Sequence, residues 1–235
     1  MTEAMMRQLR ALLVQCVALI DQALTALSTA APQSPTPSPD SNANSYRPLA
    51  WGGYIERLKI FKDRPGSAET FKARVWWIAE TLTQYQGRLL DANDLMACMS
   101  FESAGTFDSK TKNPKSSATG LIQFMAATSR DVLKIDHSKL AKMTPEDQLN
   151  EVYKYFKWVI DTFGPVSGTA DTYMAIFRPA AVAKPSETPL FVRGTDAYAV
   201  NTGLDTNKDG RILKAEAAAK IIDRLAEGLR PENIG

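Results

Sequence analysis

The sequence predicts an all-α, or mostly α, fold class. Apolar side chains recur every three or four residues along several segments, and glycine and proline interrupt these segments at their ends. No stretch sustains the every-second-residue alternation that is typical of a half-buried strand. With 235 residues, 44% of them hydrophobic, the chain can build one domain with a substantial core and carry further segments outside it.

The first predicted element is an amphipathic helix within residues 1–30. Gln15 and Asp21 make its apolar stretch too short and too polar for an ordinary membrane-spanning helix. We favour self-association or docking on a partner through residues 6–27, while contact with a membrane surface and a secretory signal remain alternatives. The apolar positions at helical spacing are Met6, Leu9, Leu13, Cys16, Ile20, Ala23 and Leu27.

A linker follows at residues 31–45. It contains four prolines and almost no large apolar side chains, so it cannot pack a core and should act as a semi-rigid spacer. The folded domain is therefore predicted to span residues 46–235.

Helices are predicted throughout this domain. The clearest one covers residues 144–163, because Thr144 is a good N-cap, Pro145 suits the first turn, and Gly164 with Pro165 ends the apolar repeat. The other predicted helices cover residues 71–85, 91–102, 169–177 and 213–229.

Composition excludes several classes of function. The 28 basic and 26 acidic residues leave a net charge of +2, too small to favour nucleic acid as the main ligand. Two cysteines, Cys16 and Cys98, in apolar segments do not suggest a disulfide framework. The single histidine, His137, excludes a multi-histidine zinc site and is predicted to be an ordinary surface residue. Catalysis by carboxylates is the remaining default.

Glu102 is the strongest catalytic candidate. It continues the apolar stripe of Leu95, Cys98 and Met99 at the C-terminal end of the helix 91–102, where both desolvation and the helix dipole oppose a negative charge. Such surroundings can raise the pKa of a glutamate from about 4.3 toward roughly 6, the range of a general acid. The alternative is a structural glutamate that forms an ion pair.

Three motifs in order resemble a known family. Glu102-Ser103 is followed by sixteen residues, then by Gly120-Leu121-Ile122-Gln123, and later by the aromatic stretch 171–177. This pattern resembles the goose-type lysozyme and soluble lytic transglycosylase group (SLT domain) over residues 76–179, with bacteriophage endolysins looking most similar. The resemblance implies a lysozyme-like helical domain that cleaves peptidoglycan, a muramidase activity on the bacterial cell wall.

The same resemblance implies roles for individual residues. Glu102 would protonate the glycosidic oxygen between N-acetylmuramic acid and N-acetylglucosamine, and Ser103 would lie beside the cleft and orient the sugar or the glutamate. Gly120 would let the backbone approach the substrate, Gln123 would hydrogen-bond the saccharide or the catalytic carboxyl, and the Tyr173 hydroxyl would contact Glu102 or the developing positive charge.

Hydrolysis and transglycosylation remain alternatives at this point. Asp108 is the only other acid between Glu102 and Gln123, and Asn113, Ser116 and Ser117 stand where the goose-type pattern would have aspartates. An inverting hydrolase needs a second carboxylate to activate water. We therefore favour a lytic transglycosylase with one catalytic glutamate and 1,6-anhydro products over a hydrolytic lysozyme.

A second motif lies near the C-terminal end. Residues 205–216 match the twelve-residue EF-hand loop, in which Gly210 permits a sharp turn. Hard oxygen ligands favour a structural Ca²⁺, and an Asx-rich turn without metal is the alternative. The weak helix before the loop suggests a single hand that fastens the C-terminal helix. The predicted ligands are Asp205, Asn207, Asp209, the Arg211 carbonyl and Glu216.

The expected substrate is a polymer, so the site should be an open groove on a protein that acts in the periplasm or at the cell exterior. Lys110, Lys112 and Lys115 could meet carboxylates of peptide stems, although a solvated loop is the commoner meaning. A non-catalytic calcium-binding cell-wall adaptor and a membrane-active lytic protein are the alternatives. Phage lysis, virion entry and interbacterial attack would all use this chemistry.

Overall fold

The computed structural model describes residues 48–235, and helices dominate them. The predicted all-α class is confirmed for this part of the chain. The predicted helix in residues 1–30 and the predicted linker 31–45 lie outside the described residues.

The helices follow the predicted segments closely, with boundaries shifted by a few residues. Thr144 caps its helix as expected, since its hydroxyl accepts a hydrogen bond from the Asp147 N–H at 3.2 Å. The helices are α1 (Gly52–Arg57), α2 (Lys59–Lys62), α3 (Ser67–Gln86), α4 (Ala92–Glu102), α5 (Ala126–Thr128), α6 (Pro145–Phe163), α7 (Gly168–Phe177), α8 (Asp196–Asn201) and α9 (Lys214–Gly228).

Shorter turns connect these helices. A π-helical turn at Ser129–Leu133 continues α5, and 3₁₀ turns cover His137–Lys142, Pro179–Ala181 and Thr202–Leu204.

Helix α4 lies at the centre of the domain, where it packs against α3, α7 and α9. Its side chains are buried on nearly every side, including those of Leu95, Met96, Cys98 and Met99. Cys98 is a free buried thiol, in agreement with the predicted packing role. Because the helix is surrounded along its length, a polar group at its end leaves water for an apolar environment.

A two-stranded antiparallel ribbon joins strands that the sequence pattern did not reveal, β1 (Pro189–Val192) and β2 (Arg211–Leu213). Phe191 pairs with Ile212, and an irregularity in register separates Pro189 from Phe191. Strands of four and three residues are too short to show a period in the sequence. Strand β2 lies inside the predicted EF-hand loop, so the ribbon ties this loop to the rest of the chain.

His137 is not the plain surface histidine that we expected. One ring nitrogen lies 2.8 Å from the Ser129 hydroxyl, and the other lies 2.7 Å from the Ser117 carbonyl oxygen. The half-buried imidazole therefore connects the loop after α4 to the π-helical turn.

Among residues 48–235, no helix combines the length and apolar character needed to cross a membrane.

Candidate active site

Glu102 is the last residue of α4. The helix begins with Asp91, whose carboxylate accepts a hydrogen bond from the Asn93 N–H at 2.8 Å and so caps the first turn. Eleven residues later the chain has made three helical turns through the core, and Glu102 emerges at the C-terminal end. The local sequence thus carries a carboxyl group along a buried helix to the edge of the domain.

Burial raises the pKa of Glu102 to about 7, from an ordinary value of 4.5. Desolvation is the cause, and no charge among residues 48–235 adds to the shift. Within residues 48–235 the carboxyl group makes no hydrogen bond, yet neither of its oxygens is sealed from solvent. Glu102 is therefore protonated in a large fraction of molecules at neutral pH and remains open to a ligand.

Ser103 connects the end of α4 to the following loop. Its hydroxyl donates a hydrogen bond to the Met99 carbonyl at 2.7 Å and accepts one from the Phe107 N–H at 2.9 Å. The residue has no exposed surface, so in this conformation its side chain cannot touch a sugar. The part of its predicted role that these contacts allow is orientation of the adjacent Glu102.

The side chain of Gln123 bonds two backbone groups of the loop that follows α4. The amide nitrogen donates to the carbonyl oxygens of Gly120 at 2.9 Å and Thr111 at 3.2 Å. The amide oxygen has no partner in the described part of the chain and is accessible to solvent. Gln123 therefore stabilises the loop with one end of its amide and offers an acceptor with the other.

The backbone angle and close contacts of Gly120 require a glycine at this position. Its φ of +88° is rarely adopted by other residues, and a Cβ there would lie 2.2 Å from the Oε1 atom of Gln148. The Gln148 side-chain amide is fully buried; it accepts from the Leu121 N–H at 2.7 Å and donates to the Leu140 carbonyl at 3.0 Å. Packing of the loop against α6 thus explains the glycine without a substrate.

Gln148 is a residue that sequence reasoning missed. It precedes the apolar stripe of α6 by one position, and one glutamine in the first turns of a helix gives no sequence signal of burial. Its three hydrogen bonds to backbone groups fix the loop that carries Gly120 and Gln123.

Tyr173 lies on α7 and is only 3% exposed. Its ring packs edge-on against Phe101, with centroids 5.8 Å apart, and stacks on Phe177 at 5.3 Å. Desolvation raises the pKa of its phenol, and the negative charge of Glu102 raises it further. The structure therefore places Tyr173 near Glu102, with a hydroxyl that has no partner among residues 48–235 and is not sealed from solvent.

Asp108, the alternative second acid, lines a depression that does not include Glu102. Its carboxylate accepts from the Lys110 N–H at 2.9 Å and so forms a tight local turn. The depression that it lines also includes Tyr54, Leu58 and Gly105, but not Glu102, Gln123 or Tyr173. Its charge does not appear among the causes of the raised pKa of Glu102.

Residues 82–185 match the family model of the transglycosylase SLT domain. Members of this family are lytic transglycosylases that cleave glycosidic bonds in peptidoglycan. The matched residues, which we call the SLT segment, include Glu102, Ser103, Gly120, Gln123 and Tyr173. No curated protein matches the chain.

The match confirms the predicted class of enzyme, one that cleaves glycosidic bonds in peptidoglycan, and supports the resemblance over the SLT segment. It also supports peptidoglycan as the substrate and the cell wall as the place of action. The SLT segment contains α4, α6 and α7 and ends before the ribbon.

Residues 205–216 lie outside the SLT segment; they begin with a turn, include β2 and end in the first turn of α9. Asp205 is 7% exposed, and its Oδ2 atom accepts from the Tyr198 hydroxyl at 2.6 Å and the Gly210 N–H at 3.0 Å. The Tyr198 hydrogen bond lowers the pKa of Asp205. Its Oδ1 atom is buried and has no hydrogen-bond partner in the described part of the chain. Gly210, with φ +90°, makes the sharp turn that the motif requires.

The other predicted calcium ligands make hydrogen bonds to their neighbours. The Oε1 atom of Glu216 accepts from the Thr206 hydroxyl at 2.9 Å and its Oε2 atom from the Leu213 N–H at 2.9 Å. Asn207 and Asp209 accept from N–H groups two residues further on. Within residues 48–235, no three His, Cys, Asp or Glu side chains are grouped closely enough to hold a metal ion. A bound cation would therefore require these carboxylates to move together.

Proposed function

We propose that this protein is a lytic transglycosylase that uses Glu102 as its only acid and base to cleave the β-1,4 bond between N-acetylmuramic acid and N-acetylglucosamine. The observation that carries this proposal is the position of Glu102 at the end of the buried helix α4, where burial raises its pKa to about 7. A group with this pKa exists in both protonation states near neutral pH, as one residue that gives and then takes a proton must.

The reaction proceeds in two proton transfers. The Glu102 carboxyl donates its proton to the glycosidic oxygen while the bond from this oxygen to C1 of the muramic acid breaks. The C6 hydroxyl of the same sugar then attacks C1, and its proton passes to the Glu102 carboxylate. The products are a 1,6-anhydromuramic acid end and a free N-acetylglucosamine hydroxyl, and Glu102 returns to its acid form. No water molecule enters the balance.

The surroundings of Glu102 favour a mechanism that uses one carboxylate over a mechanism that uses two. No charge among residues 48–235 contributes to its raised pKa, and Asp108 is engaged in a local turn and lines a depression that does not include Glu102. A hydrolytic lysozyme of the inverting type would need a second carboxylate roughly 6.5 to 9.5 Å from the first to position water. The intramolecular C6 hydroxyl makes such a group unnecessary.

Four other residues would assist Glu102. The Tyr173 hydroxyl would donate a hydrogen bond to the sugar or to the ionised Glu102, and the free amide oxygen of Gln123 would accept one from a saccharide hydroxyl. Ser103 would act through its bonds to the Met99 carbonyl and the Phe107 N–H, which fix the backbone next to the carboxyl group. Gly120 would contribute by letting the loop approach α6 closely.

Digestion of purified peptidoglycan tests the proposal. Fragments released by the wild-type protein should carry anhydro ends, each lighter by one water than the hydrolytic product, and Glu102→Gln should abolish release while the protein stays folded. Glu232→Gln, the same change at an exposed position, serves as the matched control. Reducing ends in the products would indicate the hydrolytic lysozyme instead. Unchanged clearing by Glu102→Gln would refute a catalytic role and leave a non-catalytic adaptor.

A second proposal concerns residues 205–216, which would bind one structural Ca²⁺. The supporting observation is the Oδ1 atom of Asp205, a carboxylate oxygen that is buried without a partner at the first position of the motif. Such an atom is unfavourable without a cation or donor. Asn207, Asp209, Glu216 and the Arg211 carbonyl would complete an oxygen ligand set that suits calcium. The ion would act on the stability of the ribbon and α9 and would take no part in the reaction.

A further inference from the structure

Arg178 follows the last residue of α7 and holds an unused guanidinium group. The group lies over the ring of Phe191, with its central carbon 5.1 Å from the ring centroid. Within residues 48–235 it makes no hydrogen bond and no ion pair, and the residue is exposed. A guanidinium that rests on an aromatic face keeps its donors free and loses little conformational entropy when it binds a planar anion.

A row of aromatic rings in contact extends from Phe191, beneath this cation, to Phe101, the residue before Glu102. Phe191 packs edge-on against Phe177 at 5.8 Å, Phe177 stacks on Tyr173 at 5.3 Å, and Tyr173 packs edge-on against Phe101 at 5.8 Å. Phe101 immediately precedes Glu102. These rings are packed against the core. They therefore hold Phe191, the ring beneath Arg178, in a fixed position relative to α4.

The ring beneath Arg178 comes from outside the SLT segment. Phe191 belongs to β1, where it pairs with Ile212 of β2, and Ile212 has no exposed surface. Lys214, directly after β2, forms a buried ion pair with Asp171 of α7 and donates to the Lys184 carbonyl at 2.7 Å. The ribbon is thus fastened to the same helix that carries Tyr173.

We propose that Arg178, held in place by Phe191, binds a carboxylate of the peptide stem on the glycan strand that is cleaved at Glu102. This inference rests on the proposed function and adds a preference to it, for strands whose stems carry free carboxylates. A free carboxylate is the chemical partner that a planar guanidinium selects, and the stems supply such groups along the strand. In a strand with intact stems the sugars are neutral, because the lactyl carboxyl of each muramic acid is bound in an amide to its stem.

Binding in the Glu102→Gln background, where no turnover occurs, tests this preference. Soluble glycan strands with intact stems are compared with the same strands after their stem carboxylates have been converted to neutral amides. Arg178→Gln should weaken binding of the unmodified strands by about 3- to 10-fold, the range of an exposed ion pair to a well-oriented bidentate contact. It should leave binding of the amidated strands unchanged. The difference should shrink at high salt, because an exposed ionic contact is screened.

Matched variants distinguish the effect of losing the Arg178 charge from the effect of disturbing the structure. Arg230→Gln removes another exposed charge, whose side chain makes no hydrogen bond, ion pair or ring contact among residues 48–235, and should leave the preference unchanged. Phe191→Leu keeps apolar bulk but removes the ring, so it should reduce the preference partially. Val192→Ala, at a 48% exposed position of the same strand, should have no effect.

The outcomes distinguish this inference from the proposed function. If the wild-type protein cleaves both kinds of strand and Arg178→Gln binds both as the parent does, the carboxylate contact is refuted and the proposed function stands. An equal loss on both strands, independent of salt, would indicate a structural effect and would also overturn the inference. If the wild-type protein cleaves neither, both proposals fall.

Discussion

The most direct test of the chemistry of Glu102 is a measurement of stability. Burial raises its pKa in the folded protein from 4.5 to about 7, so between these two values the folded state holds a proton that the unfolded chain has lost. Stability falls with rising pH wherever the folded state binds more protons. Glu102 should therefore be neutral toward folding below pH 4.5 and destabilising above pH 7.

The size of this effect follows from the same values. Each pKa unit corresponds to about 1.4 kcal/mol, so the interval from 4.5 to about 7 amounts to about 3 kcal/mol. Glutamine has nearly the shape of the neutral acid and never ionises. Glu102→Gln should consequently match the wild-type protein in free energy of unfolding at pH 4 and exceed it by up to about 3 kcal/mol at pH 8.

Urea denaturation at pH 4, 6 and 8, followed by circular dichroism, measures this difference. Glu232→Gln provides the baseline for the same substitution at an exposed site, where folding removes little hydration. A difference between wild-type and Glu102→Gln that stays constant across this range would show that the carboxyl group is hydrated in the folded protein. That result would remove the physical basis for its role as a general acid.

Further predictions address the rest of the site. Tyr173→Phe keeps the stacked ring and removes only the hydroxyl, so cleavage of purified peptidoglycan should slow by about 10- to 100-fold while thermal unfolding is unchanged. Free Ca²⁺ at about a hundred times its dissociation constant should raise the Tm by about 5 to 10 °C, and Asp205→Asn or Glu216→Gln should abolish this shift. Gly120→Ala should lower the free energy of unfolding by about 2 to 4 kcal/mol in urea titrations, because its Cβ would meet the buried Gln148 amide at a φ of +88°.

The helices and the burial of Glu102 could be predicted because their signals are local. Thr144 and Pro145 mark the start of α6, and the apolar repeat that follows gives its length. Glu102 drew attention because a carboxylate stood on the apolar stripe of α4, and the structure explains the anomaly by burial on nearly every side of this helix. A break in a regular pattern is visible without knowledge of the fold.

The supporting contacts could not be predicted, because they join residues that are distant in the sequence. The hydrogen bond between the Leu121 N–H and the Gln148 amide spans 27 positions, and no sequence feature near either residue predicts it. Ser103 was assigned to the cleft because it adjoins Glu102, whereas its hydroxyl lies in the core and bonds backbone groups on both sides. Proximity along the chain identified the motif but did not show which way each side chain faces.

The environment of Glu102 depends on residues that the SLT segment does not include. Helix α9 packs against both α4 and α7, and it contributes Ala217, Ala218 and Ile221 to the buried side of that contact. The raised pKa of Glu102 comes from desolvation, and desolvation requires that α4 be covered along its length. The ribbon adds Phe191 to the aromatic row behind Tyr173. The C-terminal residues therefore complete the low-dielectric surroundings that the proposed mechanism requires of Glu102.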